Sequence, residues 1–314
     1  MSRAVIQRTE VADAILDFGN TAIDLSEYAT TGLRIVAVGP SGIGKTNAGL
    51  LIAEQLAKQG WICALIDPEG EIASMYGQAV ASVDALRKRL AKRDQPFVVV
   101  AAENASEFIP YGRAILEAAE EHRKPIFLMI DEGQVFSAPR KRKNDIGEAA
   151  DIVNQFAERG RKRALDLFLT AHRFTGSLHR SIFANKNLSL IGCQEDPTAW
   201  AALAPQFRSS KIEFNDLAAL APGEFFCFSR RGVEKVRMPM AEALQRVAPK
   251  AKAVKPKLPS TFSQWDRAMR EMPKRRLEAL TEPVVALLGA VAGLSPQQML
   301  SGRRALHDEL EGRR

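Results

Sequence analysis

Residues 39–46 read Gly-Pro-Ser-Gly-Ile-Gly-Lys-Thr, the G-x-x-x-x-G-K-[ST] spacing of a phosphate-binding loop. Each residue type in it suits that chemistry. Gly39, Gly42 and Gly44 lack a Cβ, so the backbone can curl and turn its N–H groups inward onto phosphate oxygens. Lys45 has the reach and charge to meet the β- and γ-phosphates, and the Thr46 hydroxyl can ligate Mg²⁺. Pro40, Ser41 and Ile43 complete the loop, and Asn47 opens the helical run behind it, so residues 39–47 form the expected nucleotide contact. An apolar run, Leu33–Val38, precedes the loop, and a helix-forming run, Asn47–Gln59, follows it. The helix N-terminus then adds its positive dipole to the site.

The second half of a hydrolytic site is Ile126-Phe-Leu-Met-Ile-Asp-Glu132, an apolar strand ending in two acids. Asp131 is expected to hold the Mg²⁺ shell together with Thr46, and Glu132 to orient or deprotonate an attacking water. The segment Asn185-Lys186-Asn187-Leu188 begins like a guanine reader, but Leu188 stands where the base-binding carboxylate would be. ATP is therefore the expected nucleotide, with Mg²⁺ as its cation.

Positioning these groups requires strands and helices in alternation. Leu33–Val38, Trp61–Ile66, Phe97–Ala102, Ile126–Ile130, Leu165–Thr170 and Leu188–Cys193 are apolar runs of strand length without clear alternation, the mark of strands buried on both faces. Helical patterns at Asn47–Gln59, Ser82–Lys92, Arg113–Glu121 and Asp145–Arg159 lie between them. The predicted fold is a doubly wound α/β domain of the P-loop NTPase type, RecA-like, with a mostly parallel sheet and flanking helices. Gly223–Ser229 and Val233–Met238, joined by Arg230-Arg231-Gly232, predict a closing β-hairpin.

The chain has 314 residues, room for one large domain and an appendage. The predicted organisation is a motor domain over 1–247, a linker over 248–259 with three prolines and four lysines, and a basic helical region over 260–314. The net charge of +7 lies wholly beyond residue 245, since residues 1–245 carry equal numbers of each sign. A neutral domain with a basic tail suggests a polyanionic partner, nucleic acid first and acidic lipid second. Cys63, Cys193 and Cys227 lie far apart in apolar runs and are expected to be free thiols of a cytoplasmic protein. The first ten residues lack the apolar core of a signal peptide. The late apolar stretch Val284–Leu294 is too short to span a bilayer, so no integral membrane segment is expected.

Further motifs are Asp67-Pro-Glu-Gly-Glu71 after the second strand and Gly160-Arg-Lys-Arg163 before the strand that ends in Ala171-His172-Arg173. Together with the loop and the acid pair, these resemble the HerA/FtsK family of DNA-pumping ATPases, the HerA branch most of all, over roughly residues 20–240. The resemblance implies a hexameric ring that hydrolyses ATP between subunits and moves double-stranded DNA through its pore. It implies that Lys45, Thr46, Asp131 and Glu132 form the catalytic centre. It also implies that Arg161 acts in trans on a neighbour's γ-phosphate, with Arg159 and Arg163 as competitors for that role. His172 stands where the family usually has a sensor Gln, and Phe174 where it has Pro. Little of the sequence precedes Leu33, so the small N-terminal barrel of full-length HerA proteins is not expected here.

Arg140-Lys-Arg-Lys143 is a cationic loop suited to phosphate contacts in a pore, and Arg173, His179 and Arg180 lie in another. Residues 282–310 have the short helices and tight turns of a helix-turn-helix, with Arg303 and Arg304 opening its last helix. A protein-docking helical bundle fits the same pattern. The expected function is a ring-forming, Mg²⁺-dependent ATPase that translocates double-stranded DNA. The alternative is a protein-assembly or secretion motor, or a nucleotide-controlled scaffold.

Overall fold

An unbroken apolar run is buried well only when both of its faces meet apolar partners, and the strands of this protein are used in that way. The structure is a computed structural model. It describes residues 15–137, 144–174, 178–208 and 210–247, with isolated positions between 295 and 301. Two short strands, β1 (Ile15–Asp17) and β2 (Ala22–Asp24), pair as an antiparallel hairpin. The alternating part comes next as β3 (Arg34–Val38), α1 (Lys45–Lys58), β4 (Ile62–Asp67), α2 (Ala73–Tyr76), α3 (Val83–Lys92) and β5 (Phe97–Ala101). It continues through α4 (Ala105–His122), β6 (Ile126–Ile130), α5 (Asp145–Arg159), β7 (Leu165–Ala171), α6 (Arg180–Asn185) and β8 (Leu188–Ile191). Helices α7 (Pro197–Phe207) and α8 (Phe214–Ala218) lead to strands β9 (Glu224–Ser229) and β10 (Gly232–Arg237), then α9 (Glu242–Val247).

Eight strands form one sheet in the order β10-β9-β8-β3-β7-β6-β4-β5. The six from β8 to β5 are parallel, and the β9–β10 hairpin closes one side antiparallel, pairing Leu190 with Cys227. Alternate residues of each strand enter two separate cores. Ile126, Leu128 and Ile130 of β6 pack with α3, α4, α5 and α7 on one face. Phe127 and Met129 pack with α1 and the β1–β2 hairpin on the other.

The predicted segments Ile126–Ile130 and Asp145–Arg159 match their elements end for end. Helix α4 starts eight residues before its predicted Arg113. Pro110 interrupts the hydrogen-bond ladder there, but Asn104 caps the helix by accepting from Glu107 N–H and Phe108 is fully buried against Phe136, ring centres 4.7 Å apart. Contacts divide the chain into two units, Met1–Ala248 and Pro249–Arg314. The linker, the Arg140–Lys143 loop and nearly all of the C-terminal region lie outside the described residues.

The strand order decides where the phosphate loop and the acids meet. β3, which leads into the loop, and β6, which leads into Asp131-Glu132, do not touch. β7 lies between them, paired to both. All three strands point the same way, so the loop, the acids and the end of β7 converge on one edge of the sheet, where ligands of open α/β sheets bind.

Candidate nucleotide site

The phosphate loop is anchored at both ends and at its middle. Gly39 N–H donates to Ala171 O at 3.1 Å, and Gly223 N–H donates to Ile43 O at 2.9 Å, tying the loop to β7 and to the start of the hairpin. The Ile43 side chain is a buried anchor of the loop. It fills the space over Gly39, where an added Cβ would lie 2.2 Å from Ile43 Cδ1, and Gly39 adopts φ +147°. Only glycine fits there. Lys45, almost fully buried, donates to Gly39 O and Pro40 O, each at 2.9 Å. Burial lowers the affinity of its ammonium for the proton, and the nearby Glu132 and Asp131 carboxylates oppose that shift.

Asp131 joins the two halves of the site. Thr46 Oγ1 donates to its Oδ2 at 2.8 Å, and Thr170 Oγ1 donates to its Oδ1 at 2.7 Å. Burial pushes this carboxyl above the usual carboxylate range, while the Thr170 and Thr46 hydrogen bonds draw it back in part. Its donor set is hard oxygen. Among the described residues no cluster of three or more His, Cys, Asp or Glu is arranged to hold a metal on its own. A carboxylate beside a hydroxyl suits Mg²⁺, which takes one or two protein oxygens and fills its shell from phosphates and water.

Glu132 adopts the left-handed conformation, φ +47° and ψ +47°, rare for a side chain of its size. Three groups hold it there. Its N–H donates to Thr170 Oγ1 at 2.8 Å, His172 Nε2 lies 2.7 Å from its Oε2, and Gln134 Nε2 donates to the same oxygen. A carboxylate only accepts, so His172 must carry its proton on Nε2. Gly133 lets this turn lie against β7, since a Cβ there would come within 2.9 Å of Thr170 O. Asp67, at the end of β4, is buried and accepts from the N–H groups of Ile72 and Ala73 at 2.8 and 3.0 Å, which shapes the Asp67–Glu71 turn. Loop, acids, His172 and this turn line one cavity of about 680 Å³, within the range of small-molecule sites.

The structure brings Lys45, Thr46, Asp131, Glu132 and His172 together. It does not bring Arg161 to them. The short helical turn Gly160–Arg163 precedes β7 at the opposite edge of the sheet, about 20 Å away for a seven-residue strand. Of its competitors, Arg163 is bound to Glu120 at 2.9 Å, and Arg159 is exposed at the end of α5. Asn47 uses its side chain on the segment after β10, donating to Pro239 O and accepting from Ala241 N–H. His179 caps α6 by accepting from Ser181 N–H, while Arg173 and Arg180 are exposed. Asn187 binds Arg34 N–H and Gly32 O at the opposite edge, far from any base site of this pocket. Cys63 and Cys227 are buried free thiols, and burial pushes the Cys227 thiol up to about 12.

No family profile and no curated protein matches this sequence. Solved structures do match. The genome packaging NTPase B204 from Sulfolobus turreted icosahedral virus 2, in complex with AMPPCP, is similar with a TM-score of 0.54 at 15% identity, covering 67% of this chain and 100% of that chain. The fold is that of a P-loop NTPase. The same viral protein in complex with ATP-gammaS gives a TM-score of 0.53 at 16% identity, over 67% of this chain and 99% of that one. The conjugation coupling protein TcpA of pCW3, in its monomer form with ATPgS, overlaps more loosely, with a TM-score of 0.45 at 18% identity over 72% of this chain and 64% of that one. No helix among the described residues is long and apolar enough to cross a membrane.

Sequence reasoning passed over Thr170 and Gln134. Thr170 had a signal, since it is the one hydroxyl residue in the otherwise apolar end of β7 and is fully buried. Gln134 had none, because its role comes from the turn that folds it back onto Glu132.

Proposed function

We propose that this protein is a ring-forming, Mg²⁺-dependent ATPase of the HerA/FtsK type that moves double-stranded DNA. The observation that carries the hydrolytic part is Asp131 bridging Thr46 and Thr170 while Glu132 is held beside it by His172 and Gln134. When bound, Mg²⁺ neutralises charge on the phosphates and orients them. Thr46 and Asp131 are the residues to hold it. Lys45 moves from its two loop carbonyls onto the β- and γ-phosphates. Glu132 orients the attacking water and accepts its proton, with His172 and Gln134 keeping the carboxylate aimed.

The ring reading is supported by the position of Gly160–Arg163, which cannot serve its own pocket and suits Arg161 for a neighbour's. A hexamer is the proposed assembly. DNA as cargo is supported by the basic region beyond residue 245 and by the packaging role named for the viral neighbour of the same fold. The C-terminal region is proposed to dock DNA or a protein partner, and a cytoplasmic location accords with three free thiols.

Two measurements test this. Glu132→Gln should keep ATP affinity and lose turnover by about a hundred- to ten-thousandfold, the usual range for a general base. Normal turnover would remove the assigned role. ATPase rate with added duplex DNA should rise strongly and the rise should shrink with salt. No stimulation would favour the protein-assembly motor or scaffold instead.

A further inference from the structure

After β10 the chain turns back and runs along α1. The Asn47 amide binds both sides of this segment, donating to Pro239 O at 2.9 Å and accepting from Ala241 N–H at 2.8 Å. Seven residues on, along the same stripe of the helix, Glu54 accepts from Glu242 N–H at 2.7 Å and Ala243 N–H at 2.8 Å. Glu54 is itself buried and takes the Tyr76 hydroxyl at 2.7 Å. The segment 239–247 is thus strapped to the helix that begins at the phosphate loop, and the strap has little freedom to leave it.

The strap delivers one side chain to the nucleotide cavity. Leu244 packs partly into the core on the α1 face and lines the cavity with the loop. Among the described residues lining that cavity, only Leu244 and Val135 have apolar side chains. Val135 belongs to the turn beside Glu132, where water must enter. Leu244 follows directly on the turn held by Glu54 and lines the cavity together with Thr46 and Asn47, where the loop becomes helix. A triphosphate needs N–H groups and cations, which the loop supplies. A nucleobase needs a dry flat contact for its ring face, and Leu244 is the group that offers one on the loop side.

We propose that Leu244 is a base-contacting residue, and that the strap over 239–247 is the wall on which the base of the bound nucleotide rests. This deepens the ATP reading of the cavity and rests on it. It also places the base in contact with the last described helix before the C-terminal unit.

Calorimetric binding of ATP and of inorganic tripolyphosphate, both with Mg²⁺, to the full chain separates the possibilities. Leu244→Ala should weaken ATP binding about tenfold, the scale of lost apolar contact in a ligand pocket, and leave tripolyphosphate binding unchanged. Leu244→Met, which keeps volume, should bind ATP nearly as the wild type does. Equal losses for both ligands, or no loss for either, overturn the base contact. A wild-type chain that binds neither ATP nor tripolyphosphate overturns the nucleotide site itself.

Discussion

Two aspartates stand at opposite ends of the paired strands β6 and β7, and they are held by different kinds of donor. Asp131, just past β6, takes two hydroxyls, from Thr46 and Thr170. Asp166, near the start of β7, takes Leu33 N–H at 2.8 Å and the Trp61 indole N–H at 2.9 Å. A hydroxyl can rotate, and can accept as readily as it donates. A backbone or indole N–H points one way and only donates. The first carboxylate can therefore change partners, as a metal site must. The second is committed to joining β7 to the chain ahead of β3 and to the start of β4.

The same substitution at both places separates these roles. Asp131→Asn should cost at least about a thousandfold in turnover, several kcal/mol of lost metal–phosphate organisation, with little change in thermal midpoint because both threonines can turn to meet the amide. Full turnover by this variant in a coupled ATPase assay would end the comparison. Asp166→Asn should do the reverse. Its NH₂ would face an N–H, leaving a buried donor unmet at a cost of about 2 kcal/mol, read as a melting point several degrees lower with turnover retained below it. Trp61→Phe should have the smallest effect, about 1.5 kcal/mol by urea unfolding, because one hydrogen bond goes and the smaller ring leaves part of a buried space unfilled.

The residues whose chemistry is tied to local spacing were legible in the sequence. The phosphate loop, the acid pair after an apolar run and the strand-helix alternation can all be read from neighbouring positions. What could not be read depends on which strands become neighbours. Thr170 joins the site only because β7 inserts between β3 and β6. Gln134 and the left-handed Glu132 depend on a turn whose shape is set by its fit against β7. Leu244 lies 113 positions beyond Asp131, past the closing hairpin, where no local pattern ties it to the loop. The β1–β2 hairpin was missed because three-residue strands carry too few positions to show a period.

The burial of every central strand on both faces has a consequence for accuracy of assembly. In a sheet with one wet face, a slip of one residue is forbidden by polarity, since it would turn oily groups into water. Here both faces are oily, and a slipped β6 would exchange Phe127 and Met129 for Ile126, Leu128 and Ile130. In β6 alignment must be enforced by shape: Phe127 and Met129 fit under α1, and the branched Ile126, Leu128 and Ile130 under α4 and α5. Asp166 adds a polar latch near the start of β7. Catalysis in this protein is thus a matter of counting, because a miscount of one residue would carry Asp131 away from Thr46.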